Sequence, residues 1–208
     1  LERQTIMKKM MANEKQLYVE LRHQKAVFAH LWQLAQAVHY KKIVRFQYCR
    51  EFDEASSERI VKPVGVIFSE YYFYLVAYQT KYDFDFPTIY RLDRIQSLTV
   101  KEAHYQIPYS ERFQEGEFRQ RVQFMYTGEL LRLKFRFTGP SPQAVLDRLP
   151  TAKMIAKAED GIIFEAEVYG QGIKMWLLSQ AEYLEVLEPQ SFREEMKHSL
   201  KKMLGLYE

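Results

Sequence analysis

Along the first forty residues, apolar side chains recur at helical spacing. Met7, Met10, Met11, Leu17, Tyr18 and Leu21 predict a helix over residues 4 to 22 with a thin apolar face. AVFAHLWQLAQAVHY predicts a second helix, with Phe28, Leu31, Trp32, Ala35 and Val38 as its apolar face. At residue 42 the period changes. IVRFQYC, RIVKPVGVIF, YYFYLVAYQ, PTIYRL and SLTVKEA are short, β-branched and aromatic, and the polar stretches REFDEASSE and TKYDFDF divide them. Five such strands after a helix predict a small five-stranded β-barrel of the SH3 or Sm kind over residues 41 to 105. Pro63 has no N–H to give a ladder, so its strand must be at an edge or bulged there.

Residues 106 to 128 are polar and without a clear period, which predicts a linker. A second unit follows over residues 129 to 208. LLRLKFRF alternates as a strand, and Ser141 with Pro142 supplies an N-cap and first helical position for SPQAVLDRL. AKMIAKA and IIFEAEV flank Asp160-Gly161 as a hairpin. GIKMWLLSQ reads as helix and YLEVLE as strand. The order is β-α-β-β-α-β, the ferredoxin-like pattern. Ser191 and Glu194 predict a capping box for a terminal helix lined by Phe192, Met196, Leu200 and Met203 and ended by Gly205. The predicted class is therefore α+β: linker helices over residues 1 to 40, the barrel, the linker, and the ferredoxin-like unit. Early proteolytic cutting is expected between residues 105 and 128.

Composition narrows the function classes. Hydrophobic residues make up 47% of the 208 and charged residues 27%, as in a folded soluble domain. No apolar run approaches the ~20 residues that span a bilayer, and the N-terminus lacks the apolar core of a signal peptide. A cytoplasmic protein without a membrane partner is expected. The sequence begins with Leu1, so it is expected to be part of a longer chain. One cysteine, Cys49, excludes an intrachain disulfide and a thiolate zinc site. The five histidines show no metal-ligand spacing, and there is neither a glycine-rich phosphate loop nor a nucleophile elbow. No metal, no cofactor and no catalytic activity are expected. Net charge is only +3, and residues 41 to 105 hold ten Lys and Arg against nine Asp and Glu. Any polyanion site must therefore be a local cluster.

One such cluster exists. In YYFYLVAY, Tyr72, Tyr74, Val76 and Tyr78 share one face, and Tyr71, Phe73, Leu75 and Ala77 share the other. Both faces are apolar, which predicts a strand covered on both sides. Nearby IYRLDRI sets Arg91, Asp93 and Arg94 into apolar sequence, and Arg59 and Lys62 precede Pro63. Two readings of these residues stand side by side. The tyrosines are core aromatics with hydroxyls at the domain edge, and Arg91 or Arg94 pairs with Asp93. Alternatively, the arginines grip a phosphate while a tyrosine stacks on a base.

ERIVKPVGVIF, FYLVAY and IYRLDRI, with the preceding LAQAVHYKKIVRFQY, resemble the WYL domain of bacterial transcriptional regulators. The naming tripeptide falls on Phe73, Tyr74 and Leu75, with Phe in place of Trp. GIKMWLLSQAEYLEVLEPQSFREEMKHSLKKM resembles the C-terminal extension of such regulators. The resemblance covers roughly residues 26 to 208. It implies a barrel that senses a ligand, with single-stranded DNA, RNA or a nucleotide as candidates, and relays the signal to a winged helix-turn-helix. That domain is expected upstream, with residues 1 to 25 as the helix that follows it. Operator DNA would be bound only through it, and a homodimer would match a two-fold operator. Carried over, the ligand pocket comprises Arg59, Tyr74, Arg91 and Arg94, with Tyr48 nearby. Thr88 stands where the family often has an arginine, and Tyr71 and Ala181 stand where it often has glycine. The alternative expectation is a protein-interaction or dimerisation module; an enzyme subunit ranks last.

Overall fold

The computed structural model describes residues 27–49, 55–69, 71–81, 86–107 and 113–208. The helix predicted over residues 4 to 22 lies outside them. The first described helix, α1, runs Phe28–His39 and turns Leu34 and Ala37 onto a sheet, with Leu31 half-buried beside them. The predicted apolar face is rotated. Phe28 is 76% and Trp32 66% exposed, because the smaller side chains one position round the helix fit against the strands.

Five strands follow: β1 (Lys42–Tyr48), β2 (Ser57–Ser69), β3 (Tyr72–Gln79), β4 (Thr88–Arg91) and β5 (Ile95–His104). They form one antiparallel sheet in the order β4-β3-β2-β1-β5. A 3-10 turn at Leu92–Arg94 joins its two edge strands. β4 and β5 do not pair, so the sheet is open and the expected closed barrel is not formed. Its core comes from layers laid on both faces instead. On one face α1 covers Phe46, Tyr48, Val61, Leu75 and Tyr90. On the other, Ile67, Tyr74 and Val76 are covered by Phe118, with Phe113, Val122 and Met125 around it. β2 is interior, and it accommodates Pro63 by a register shift between Pro63 and Gly65, as its sequence predicts. The buried Tyr105 hydroxyl donates to the Pro63 carbonyl, and burial pushes its pKa up to about 12.

The second cover comes from the stretch expected to be a linker. Within residues 106–128, Glu115–Arg121 forms a helix, α2, and Phe118 is its buried residue. The helix has only one fully buried side chain in seven residues, too short a stretch for a 3.6-residue period to show in the sequence.

The second unit contains β6 (Leu130–Phe137), α3 (Pro142–Arg148), β7 (Lys153–Ala158), β8 (Gly161–Tyr169), α4 (Gly170–Ser179), β9 (Leu184–Glu188) and α5 (Gln190–Leu204). Its strands make an antiparallel sheet in the order β7-β8-β6-β9. Leu133, Phe135, Phe137, Phe164, Trp176 and Phe192 belong to a single core on one face. Ser141 and Pro142 stand at the N-cap and first position of α3 as predicted. The predicted capping box is not made. α5 starts at Gln190, and it is Gln190 that bonds Glu194, at 3.2 Å. Phe192 and Met196 are buried while Leu200 and Met203 are exposed, because the helix runs past its sheet.

Candidate functional site

β3 is the aromatic strand, and its two rows of side chains enter two different cores. The pairing Tyr74↔Arg91 between β3 and β4 brings the predicted arginine beside the predicted tyrosine. Alternation on β4 puts Ile89 and Arg91 on the Tyr72–Tyr74 face and Tyr90 on the α1 face. The Arg91 guanidinium carbon lies 3.6 Å from the centroid of the Tyr72 ring, a cation–π stack.

Arg91 is also held by Asp93. Its Nε donates to Oδ1 at 3.0 Å and its Nη2 to Oδ2 at 2.7 Å, a two-point ion pair. Asp93 is 7% exposed, buried within the 3-10 turn that follows β4. Burial pulls the Arg91 pKa down, but the hydrogen bond and charge of Asp93, with Tyr72 and Tyr74, outweigh it and leave the pKa raised. Asp93 thus fixes the guanidinium plane over the ring. Nη1 stays outside the ion pair.

Tyr48 and Arg59 lie on the other face. Phe46 pairs with Arg59 across β1 and β2, and Phe46, Tyr48 and Tyr90 form an edge-to-face aromatic trio with centroids 5.2 to 6.2 Å apart. Burial pushes the Tyr90 pKa up, while Thr88 and the nearby charge of Arg59 pull it back. The Arg59 Nη1 donates to the Glu58 carbonyl at 3.0 Å. One contact crosses between the faces at β4: the Arg91 backbone N–H donates to the Tyr48 hydroxyl at 3.2 Å. Arg94 ends the 3-10 turn, and its carbonyl accepts from the Cys49 N–H at 3.1 Å. The five residues singled out in the sequence therefore divide. Arg91 and Tyr74 are neighbours on one face, Arg59 and Tyr48 sit on the other, and Arg94 lies at the edge. Tyr72 was not among them although it carries the stacked guanidinium. Its signal was the two-residue spacing from Tyr74, which sets both rings on the same side.

The model for the WYL domain matches residues 29–100, and that for the WCX domain matches residues 129–204. The chain carries a WYL domain followed by a WCX domain. The WYL match spans α1 and most of the first sheet, and the WCX match spans nearly all of the second unit. α2 lies in neither. Among solved structures, the chain is similar to proteasome accessory factor B/C (PafBC) of Arthrobacter aurescens, at 21% identity and a TM-score of 0.39. That alignment covers 92% of this chain and 28% of the other. A CRISPR Cas-related protein aligns at 18% identity and a TM-score of 0.49, over 84% of this chain and 50% of the other. The chain thus spans at most half the length of these two relatives. No curated protein matches. Within the WYL domain, the tripeptide Phe73-Tyr74-Leu75 occupies the part of β3 that enters both cores.

Proposed function

We propose that this chain is the ligand-sensing and effector portion of a transcriptional regulator, and that its WYL domain binds single-stranded nucleic acid or a nucleotide. The carrying observation is Arg91 stacked on Tyr72 and oriented by Asp93, with Nη1 outside that ion pair. A guanidinium so fixed loses little freedom when it takes a phosphate oxygen. The two family matches, in this order along one chain, support the regulatory setting. In this reading operator DNA is bound through a domain upstream, the assembly is a cytoplasmic homodimer, and the chain is not an enzyme. The division at residues 41 to 105 and 129 to 208 belongs to the same reading, with an open five-stranded sheet in the first unit and a ferredoxin-like second. The strand order β7-β8-β6-β9 and the β-α-β-β-α-β succession support the latter.

Fluorescence anisotropy with labelled short single strands tests the proposal. Binding is expected to weaken with added salt. Arg91→Ala is expected to weaken it more than Arg59→Ala, because Arg59 lies across the sheet. The same affinity in wild type and Arg91→Ala, or no binding by the wild type to DNA, RNA or common nucleotides, would reject this reading. A second reading, a protein-interaction or dimerisation module, rests on Phe28 and Trp32. These two aromatics stand one turn apart on the outer face of α1 and are largely exposed. Light scattering over micromolar concentrations, with Trp32→Ala beside wild type, separates the two readings.

A further inference from the structure

A cavity of about 190 Å³ lies where the end of β2, the turn after α2 and the end of α3 meet. Ile67 and Ser69 form its WYL side, and Arg148 and Pro150 its WCX side. Arg119 and residues 122–125 form the remaining wall. Arg119 and Arg148 line it, and among the described residues no carboxylate does. Arg119 is partly engaged: its Nε donates to Glu115 at 2.8 Å and its Nη1 to the Phe68 carbonyl at 3.4 Å, which leaves Nη2 for the cavity. Asp147 accepts from Gln143 at 2.9 Å.

Arg148 stands out among the described residues. Its Nε is buried and has no hydrogen-bond partner, and among the described residues no ion pair involves it. Its guanidinium lies 4.7 Å from the Phe124 ring centroid, so one face is stacked while its edge donors remain for another group. The wall that presents Phe124 is strained. Phe124 and Met125 have φ of 50° and 54°, and Tyr126 N–H closes the turn on the Gln123 carbonyl at 3.0 Å. Two successive bulky residues in the left-handed region are uncommon, and strain of this kind concentrates at ligand sites. The turn is clamped from behind, since a Cβ at Gly172 would collide with the Gln123 carbonyl. Gln123 is itself buried, with its amide directed to the Arg148 carbonyl at 3.5 Å.

We propose that this cavity is a second binding site, distinct from the Arg91 face, for a small phosphate-bearing compound gripped by Arg119 and Arg148. A half-buried guanidinium such as that of Arg148, without a carboxylate partner among the described residues, selects an oxyanion, and paired donors favour phosphate. The volume lies below the ~300 Å³ where drug-sized ligands begin, so the occupant is small. Bound there, it would bridge the WYL sheet and the WCX domain.

Calorimetry with pyrophosphate at fixed ionic strength tests the site. Saturable 1:1 binding is expected in the wild type. Arg148→Gln and Arg119→Gln are each expected to weaken it about tenfold or more, the size of a lost hydrogen bond to a charged group. Arg91→Ala is expected to leave it unchanged. If Arg148→Gln does not fold, Arg119→Gln and Ser69→Ala carry the test, since both positions line the cavity and neither is fully buried. Absence of saturable binding overturns the proposal, as does unchanged affinity in the foldable cavity variants. Loss in Arg91→Ala with retention in Arg148→Gln would assign the anion to the tyrosine face and also overturn it.

Discussion

β3 in the WYL domain and β6 in the WCX domain solve the same problem in opposite ways. In β3 both rows of side chains are apolar, and Tyr74, Leu75, Val76 and Ala77 are all buried. In β6 one row, Leu133, Phe135 and Phe137, is buried. The other row is Arg132, Lys134 and Arg136, each paired with an acid: Glu167 at 2.8 Å, Glu188 at 3.3 Å, and Asp160 at 2.8 Å with Glu185 at 3.2 Å. The WCX sheet meets water through a ladder of ion pairs and needs one cover. The WYL sheet needs two, and the second is borrowed from a seven-residue helix beyond either family match. A sheet that is apolar on both sides depends on chain outside itself.

That contrast is open to test. Phe118→Ala removes the centre of the second cover and is expected to cost about 3–5 kcal/mol in urea unfolding. A loss no greater than that of a ladder residue would mean the cover is dispensable. Asp93→Asn breaks the buried partner of Arg91 and is expected to cost about 3 kcal/mol. In the same variant, anisotropy would show whether an unfixed Arg91 still grips phosphate. Tyr71→Gly and Ala181→Gly should stabilise instead, by about 0.5–1 kcal/mol each, since φ is 75° and 52° there. Differential scanning calorimetry would read them as upward shifts in Tm.

The smallest effect belongs to the ladder. Arg132→Ala is expected to change stability only slightly, as exposed pairs do. Its hydrogen bond to Glu167 is the main cause of that carboxyl's lowered pKa, which desolvation partly opposes. The folded pKa lies below the unfolded one, so the ladder's contribution is present at neutral pH. It is lost as pH falls through the folded value of Glu167. Acid titration of wild type and Arg132→Ala should therefore converge at the acid end.

How far each region could be read from the sequence follows from the same contrast. β6 alternates strictly, so its faces, its hairpin neighbours and the β-α-β-β-α-β order were legible. The bulge at Pro63 was legible because proline lacks a donor. The apolar character of both β3 faces was legible, but not what covers them, because α2 contributes one buried phenylalanine and no periodicity. α1 misled for a related reason. Its largest apolar residues, Phe28 and Trp32, point away from the sheet while Leu34 and Ala37 pack, so side-chain size chose the wrong stripe. The candidate site was half legible. Arg91 and Tyr74 do meet, but Arg59 and Tyr48 lie across the sheet, a separation that depends on register rather than composition. The departures at Tyr71 and Ala181 were visible as residues, and their left-handed backbones explain why glycine would suit both places.

Phe118 touches Ile67, Tyr74 and Val76 on one side, and its ring lies 5.7 Å from that of Tyr169, the last residue of β8, on the other. Losing either sheet uncovers the same phenylalanine. That couples the opening of the two units, so slowly exchanging amides in β3 and β8 should gain or lose protection together. A change in the stability of one half of the molecule should therefore be felt in the other without any part having to move far.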